Sequence, residues 1–179
     1  MSTLVSHIRL AATLTAVSCS RVFTAHTLRQ WNVPHLVDNA QLVVSELVTN
    51  AVKATGVVTA NPTWSQLEDV RLLHVGIYGH GHSVTIQVWD NSDELPVQAK
   101  ADTEEWAEGG RGLFIVEALA LHVGHFFPQS GGKVVWAELA MDAQLPRLPQ
   151  REPKEPLNVL LPEADPQLLI KLLNGLEKL

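Results

Sequence analysis

Three polar residues recur at helical spacing in the stretch ELVTNAVKA: Glu46, Asn50 and Lys53, four and then three positions apart. Positions i, i+4 and i+7 of a helix fall on one stripe. A carboxylate, a neutral amide oxygen and an ammonium therefore line one edge of an otherwise apolar segment, a costly placement unless something polar meets them. Two other stretches offer matching chemistry. In SVTIQVWD, strict alternation puts Val84, Ile86, Val88 and Asp90 on one face, so an apolar register ends in a carboxylate. In GGRGL, Gly109, Gly110, Arg111 and Gly112 precede an apolar helix. Glycines let backbone come close to a ligand, and a helix N-terminus presents unpaired N–H groups and a positive dipole end. That combination is a phosphate cradle, to which Arg111 adds charge-assisted hydrogen bonds. Asn50 offers an oxygen suited to Mg2+, which keeps several waters and bridges phosphates. Asp90 can accept a hydrogen bond from an exocyclic amine such as adenine's. Glu46, one turn before Asn50, can position or deprotonate a nucleophile near a metal-bound phosphate. Taken singly, each piece has a plainer reading: a solvated helix face, a strand-ending turn at Asp90-Asn91-Ser92, a glycine turn before a helix.

The elements that must position these groups follow from local patterns. Residues 6–15 alternate as a first strand, and residues 20–31 form a helix ended by the NVP turn, where Pro34 disfavours helical geometry at Val33. The helix carrying Glu46 opens on a capping-box pattern, Asp38 with Gln41, and is expected to stop at a left-handed Gly56. Val43, Leu47, Ala51 and Ala54 supply its apolar face. After a polar, proline-broken connection, RLLHVGIY and SVTIQVWD form a β-hairpin joined by GHGH. Residues 91–110 are an acidic stretch without periodicity and read as a lid. The helix following GGRG is apolar nearly all round and is expected to be buried, and GHFFPQ with KVVWAELA forms a second hairpin around QSGG. The expected layout is one domain over residues 1–144, a proline-rich linker over 145–166 and a short amphipathic helix over 167–179. That last helix either folds back on the domain or joins a dimer or partner interface.

Composition narrows the function classes. The chain is 46% hydrophobic and 18% charged, ordinary for a packed core, and its formal net charge of −6 argues against general nucleic-acid binding, which needs clustered positive charge. The single cysteine, Cys19, rules out an intramolecular disulfide, suits a reducing compartment and reads as a small packing residue. Arg9, LAATLTAVS and Cys19 outline a lipoprotein signal, but two threonines interrupt the apolar run and no polar spacer follows. No apolar run approaches the roughly 18–20 residues needed to cross a bilayer, and a cytoplasmic chain is expected. His80 and His82 lack an evident third ligand for a metal.

In order along the chain stand ExxxN on a long helix, a strand ending in Asp90 with Pro96 six residues on, and GRGLxxV opening a helix. This series resembles the GHKL ATPase and kinase superfamily, and within it the anti-sigma regulatory factors, small serine/threonine protein kinases of the SpoIIAB and RsbW kind. LVVSELVTNAV, GRGLFIVEALA and GGKVVWAEL strengthen the likeness, which spans residues 15–140. The resemblance implies a two-layer α/β sandwich, its mixed, mainly antiparallel sheet covered by helices on one face, with ATP between the long helix and the lid. It also implies that Asn50 holds Mg2+, that Glu46 is the catalytic base and that Asp90 binds the adenine amino group. Gly110 and Gly112 pack against the phosphates, and Lys53, Arg111 and Leu113 complete the expected cofactor-binding set. The family reaction is γ-phosphoryl transfer to a serine of an anti-anti-sigma (STAS-type) partner; members also sequester a sigma factor, commonly as dimers. The first box here reads Asp90-Asn91-Ser92 where the family has Asp-x-Gly, and Lys53-Ala54-Thr55 stands where a histidine usually follows the asparagine box. The expected function is an ATP- and Mg2+-dependent serine/threonine protein kinase. The alternative is a nucleotide-dependent sequestering module with little or no chemistry.

Overall fold

Alternating aliphatic residues set the layering. A computed structural model of the chain describes residues 4–94 and 111–141, the side chain of Arg111 excepted. The elements are β1 (Leu4–Ala11), α1 (Thr15–Gln30), a 3-10 turn (Pro34–Leu36), α2 (Val37–Thr55), α3 (Trp64–Leu67), β2 (Leu72–His80), β3 (Ser83–Asp90), α4 (Arg111–Leu119), β4 (His122–Phe126) and β5 (Lys133–Ala140). The five strands lie in the order β1-β2-β3-β5-β4, each neighbouring pair antiparallel. Leu73, Val75 and Ile77 of β2 and Val84, Ile86 and Val88 of β3 share one buried face, with Val75 opposite Val88 and Ile77 opposite Ile86. Such β-branched pairs across neighbouring strands are the unit of sheet stabilisation. The helices pack on that face, α2 lying between α1 and α4 and over β3. The two-layer α/β sandwich expected from the sequence is the observed architecture; the sheet itself is antiparallel, and the parallel element is an isolated bridge between Thr13 and Val57.

Helix α2 is the keystone of the helical layer. It buries Val37, Ala40, Val43, Val44, Leu47, Val48, Ala51 and Val52. A fully buried aliphatic side chain is worth about 1.5–3 kcal/mol, so the helix carrying Glu46 and Asn50 is firmly seated. Its ends fix its direction. At the start, His35 donates through Nε2 to the Met141 carbonyl at 2.6 Å, and the Met141 N–H reaches the His82 carbonyl at 2.7 Å. At the finish, the Val57 N–H donates to the Ala12 carbonyl and the Ala12 N–H to the Arg71 carbonyl, both at 2.8 Å. The helix therefore runs from the β2–β3 turn toward the start of β2, which is the end of the sheet where His74 faces Trp89 and β3 terminates in Asp90.

Several local expectations give way to this packing. The first strand covers Leu4–Ala11 and the first helix begins at Thr15. Ala12 is fully buried and tied to both Arg71 and Val57, which ends the strand; Thr13 then bridges Val57 and the helix opens at Thr15. Arg9–Cys19 lies within this strand and helix, with Ala12 and Ala16 in the core; Cys19, expected to pack, is exposed. At α2 the 3-10 turn feeds the helix directly: Leu36 is the N-cap, in helical conformation and without a side-chain bond, and Asp38 sits inside the first turn. There its charge meets the positive helix end instead of capping it. Gly56 is extended at φ −109°, not left-handed. The position needs glycine for space, since a Cβ would run into the Ala12 carbonyl. Ala54 is exposed, and Val44, Val48 and Val52 fill the interface in its place. A short helix, α3, interrupts the expected irregular connection behind a Thr63–Gln66 capping box. Helix α4 buries Leu113 and Val116 but leaves Phe114 73% exposed, so it is half-covered, not enclosed. Pro96, Trp106 and the acidic stretch over 95–110, the linker over 145–166 and the helix over 167–179 lie outside the described residues.

Gly56→Ala tests the close approach. It is expected to cost about 1–3 kcal/mol, the usual penalty of overpacking, read as a lower urea midpoint at unchanged slope. An unshifted midpoint would refute the contact.

Candidate functional site

The polar stripe of α2 meets α4 at Glu46. A Cβ on Gly112 would collide with the Glu46 carboxylate oxygen Oε2, so the glycine is what lets the first turn of α4 pass over this side chain. A carboxylate and the opening turn of a nine-residue helix thus share one place. Asn50 lies one turn further along α2 and Lys53 beyond it, toward the Asp90 end of the sheet. Asn50 is half-buried and Lys53 exposed. Leu113 points its side chain into the core, leaving its backbone as the group available to a ligand. Gly109 and Gly110 lie outside the described residues, as does the Arg111 side chain.

At the end of β3, Asp90 is 1% exposed and faces the helical layer, as alternation predicts. It is not alone. Directly across the β3–β5 ladder stands Lys133, 4% exposed, whose Nζ donates to Asp90 Oδ1 at 3.2 Å. The Ser92 N–H donates to the same oxygen at 2.8 Å. Burial raises the Asp90 carboxyl above its ordinary value, and the Ser92 amide and the Lys133 ammonium pull in the opposite direction. Ser92 turns its hydroxyl to accept the Glu94 N–H at 3.1 Å. Its side chain is thereby absorbed by the turn, while its backbone does the bonding to Asp90.

Lys133 escaped the sequence reading, although the signal was present. Its alternate neighbours Val135, Ala137 and Leu139 form the buried register of β5, so the strand begins with a charge on its inward face, as β3 ends with one. The Gly131-Gly132 turn before it holds positive φ at both residues, and Trp89 Nε1 donates to the Gly131 carbonyl at 3.0 Å. On the opposite face of the sheet, a groove of about 470 Å3 is lined by residues including His7, Arg9, His74 and Trp89. Burial, Arg9 and His7 all hold His74 below the ordinary imidazole range.

A family model described as a histidine kinase-like ATPase domain matches residues 10–139. The chain belongs to that family. Among curated proteins no sequence matches it. As a histidine kinase-like ATPase domain it is an ATP-binding protein of the GHKL kind, and its donor set suits such a ligand. A buried carboxylate faces the covered side of the sheet, and a helix start is cleared of side chain by Gly112. Among the described residues of this ATPase domain, no group of three or more His, Cys, Asp or Glu side chains is placed to hold a metal, His80 and His82 included. No described helix is long and apolar enough to cross a membrane.

The buried carboxylate has a pH signature. A raised native value means that the folded state holds the proton more tightly than the unfolded chain. Stability therefore falls as pH rises from the ordinary carboxylate range through the raised Asp90 value, and levels off above it. Urea midpoints of the wild type and of the neutral pair Asp90→Asn/Lys133→Met are expected to diverge against the wild type across that window. A pH-independent difference would refute the assignment.

Proposed function

We propose that this ATPase domain binds Mg2+·ATP and acts as a serine/threonine protein kinase on an anti-anti-sigma (STAS-type) partner. What supports the reading most is the Glu46 carboxylate lying against Gly112 at the opening turn of α4, a base beside a phosphate cradle. Asn50 would supply an amide oxygen to Mg2+, which would neutralise phosphate charge. The N-terminus of α4, through Gly110, Gly112 and the Leu113 backbone, receives the phosphates, and Arg111 and Lys53 add positive charge. Asp90 accepts from the adenine amine. Glu46 takes the proton of the incoming serine hydroxyl as its oxygen bonds the γ-phosphorus, the bond to the β–γ bridging oxygen breaks, and ADP departs. Positioning and electrostatics carry most of the rate. In this reading the domain spans residues 1–144, works in the cytoplasm, alone or as a homodimer, and also engages a sigma factor.

A second reading is a nucleotide-gated sequestering module with little or no phosphoryl transfer. Ser92 in the adenine box favours it, because its β-carbon narrows the space for the base.

Two measurements separate the possibilities. Calorimetry with and without Mg2+ is expected to show metal-dependent ATP binding by the wild type, weakened roughly tenfold or more in Asn50→Ala; equal binding in both would remove Asn50 from the metal. Glu46→Ala is expected to keep ATP binding while transfer of labelled phosphate to a co-purified STAS-type partner falls by roughly 10²–10⁴. An unchanged transfer rate in that variant would sink the base assignment, and no transfer by the wild type would favour the sequestering module.

A further inference from the structure

Resting on the nucleotide-binding reading above, we infer that Lys133 is a base-recognition residue: it donates to the purine ring nitrogen beside the exocyclic amine, while Asp90 accepts from the amine. The geometry is an ordered pair. Asp90 and Lys133 are directly opposite on β3 and β5, both side chains on the helix-covered face and almost wholly excluded from solvent. The two donors to Asp90, Lys133 Nζ and the Ser92 N–H, both go to Oδ1. Among the described residues none donates to Oδ2, which remains an acceptor. An ammonium has three N–H donors, and Lys133 uses one, on Asp90; no other acceptor among the described residues takes the remaining two. A buried cation with spare donors is expensive unless a further acceptor completes its shell.

An acceptor and a donor standing side by side match one edge of adenine, where the amine donates and the adjacent ring nitrogen accepts. A 6-oxopurine presents the reverse order, an oxygen at the position of the amine and an N–H at the ring nitrogen. Against Asp90 and Lys133 in the same pose, acceptor would meet acceptor and donor would meet donor, and leaving buried polar groups unpaired discriminates strongly. The carboxylate thus selects for the amine and the ammonium for the bare ring nitrogen. Both side chains stand on strand ends, and the turn ahead of Lys133 is pinned by Trp89, so the pair is set before any ligand arrives.

The test uses the full chain and three probes: ATP, its 1-deaza analogue, in which the ring nitrogen beside the amine is a C–H, and inosine triphosphate. Wild type is expected to bind ATP roughly tenfold or more tighter than the 1-deaza analogue, the size of a hydrogen bond to a charged group, and to reject inosine triphosphate more strongly. Lys133→Met should bring ATP and 1-deaza-ATP to equal affinity. Should the lone Asp90 charge left behind prevent folding, the neutral pair Lys133→Met/Asp90→Asn gives the same readout without a buried unpaired charge. Equal affinities for ATP and 1-deaza-ATP in the wild type, or a preference that survives in a folded Lys133 variant, overturns the assignment while ATP binding stands. Absence of ATP binding to the wild type would bring down the nucleotide reading itself, and the assignment with it.

Discussion

One helix has to satisfy two surroundings along the same 19 residues, and the remainder of the domain is arranged around that requirement. Helix α2 presents a broad aliphatic stripe to the sheet and to α1 while holding Glu46, Asn50 and Lys53 along its margin. The stripe is wide because the helix sits in the middle of its layer, between α1 and α4. A helix with neighbours on both sides has room for polar groups on its solvent face and where a neighbour leaves space. Helix α4 stops short at Gly112, and Glu46 occupies the space that the missing side chain leaves.

The parts of this arrangement that were legible in the sequence are those with strict periodicity. Alternation along SVTIQVWD put Asp90 on the buried face, and it is there. The helical spacing of Glu46 and Asn50 and the two hairpins around Gly81-His82 and Gly131-Gly132 were equally readable, because each depends on a few adjacent residues. What could not be read locally depended on distant chain. Gly56 looks like a helix stop, yet its need is set by the Ala12 carbonyl, 44 positions earlier (56 − 12). The start of α1 depends on where Ala12 is pinned, and the coverage of α4 on what lies outside Phe114. Lys133 was overlooked for a different reason: a lysine at the head of a strand is so often a solvent-facing edge residue that its inward phase goes unexamined, although the same alternation fixes it.

The Asp90–Lys133 pair is a weak source of stability. Desolvating two charges costs several kcal/mol per ion, and mutual attraction repays this only with good geometry and further hydrogen bonds. Among the described residues the carboxylate has two donors on one oxygen and the ammonium a single acceptor, an incomplete set for an interior pair. The His122–Glu138 pair at 3.0 Å makes a useful contrast: its histidine side chain is 70% exposed, and such surface pairs contribute little either way. Among the described residues the one nearly inaccessible ion pair thus joins the end of β3 to the start of β5.

Strand β3 carries two adjacent side chains in opposite directions at this end: Asp90 into the covered layer, Trp89 onto the opposite face of the sheet. The indole is bonded to the Gly131 carbonyl, its ring lies 5.0 Å from that of His74, and it walls the groove beside Arg9. A single peptide unit therefore joins the two faces. At this end of β3 the covered layer and the groove are one peptide unit apart.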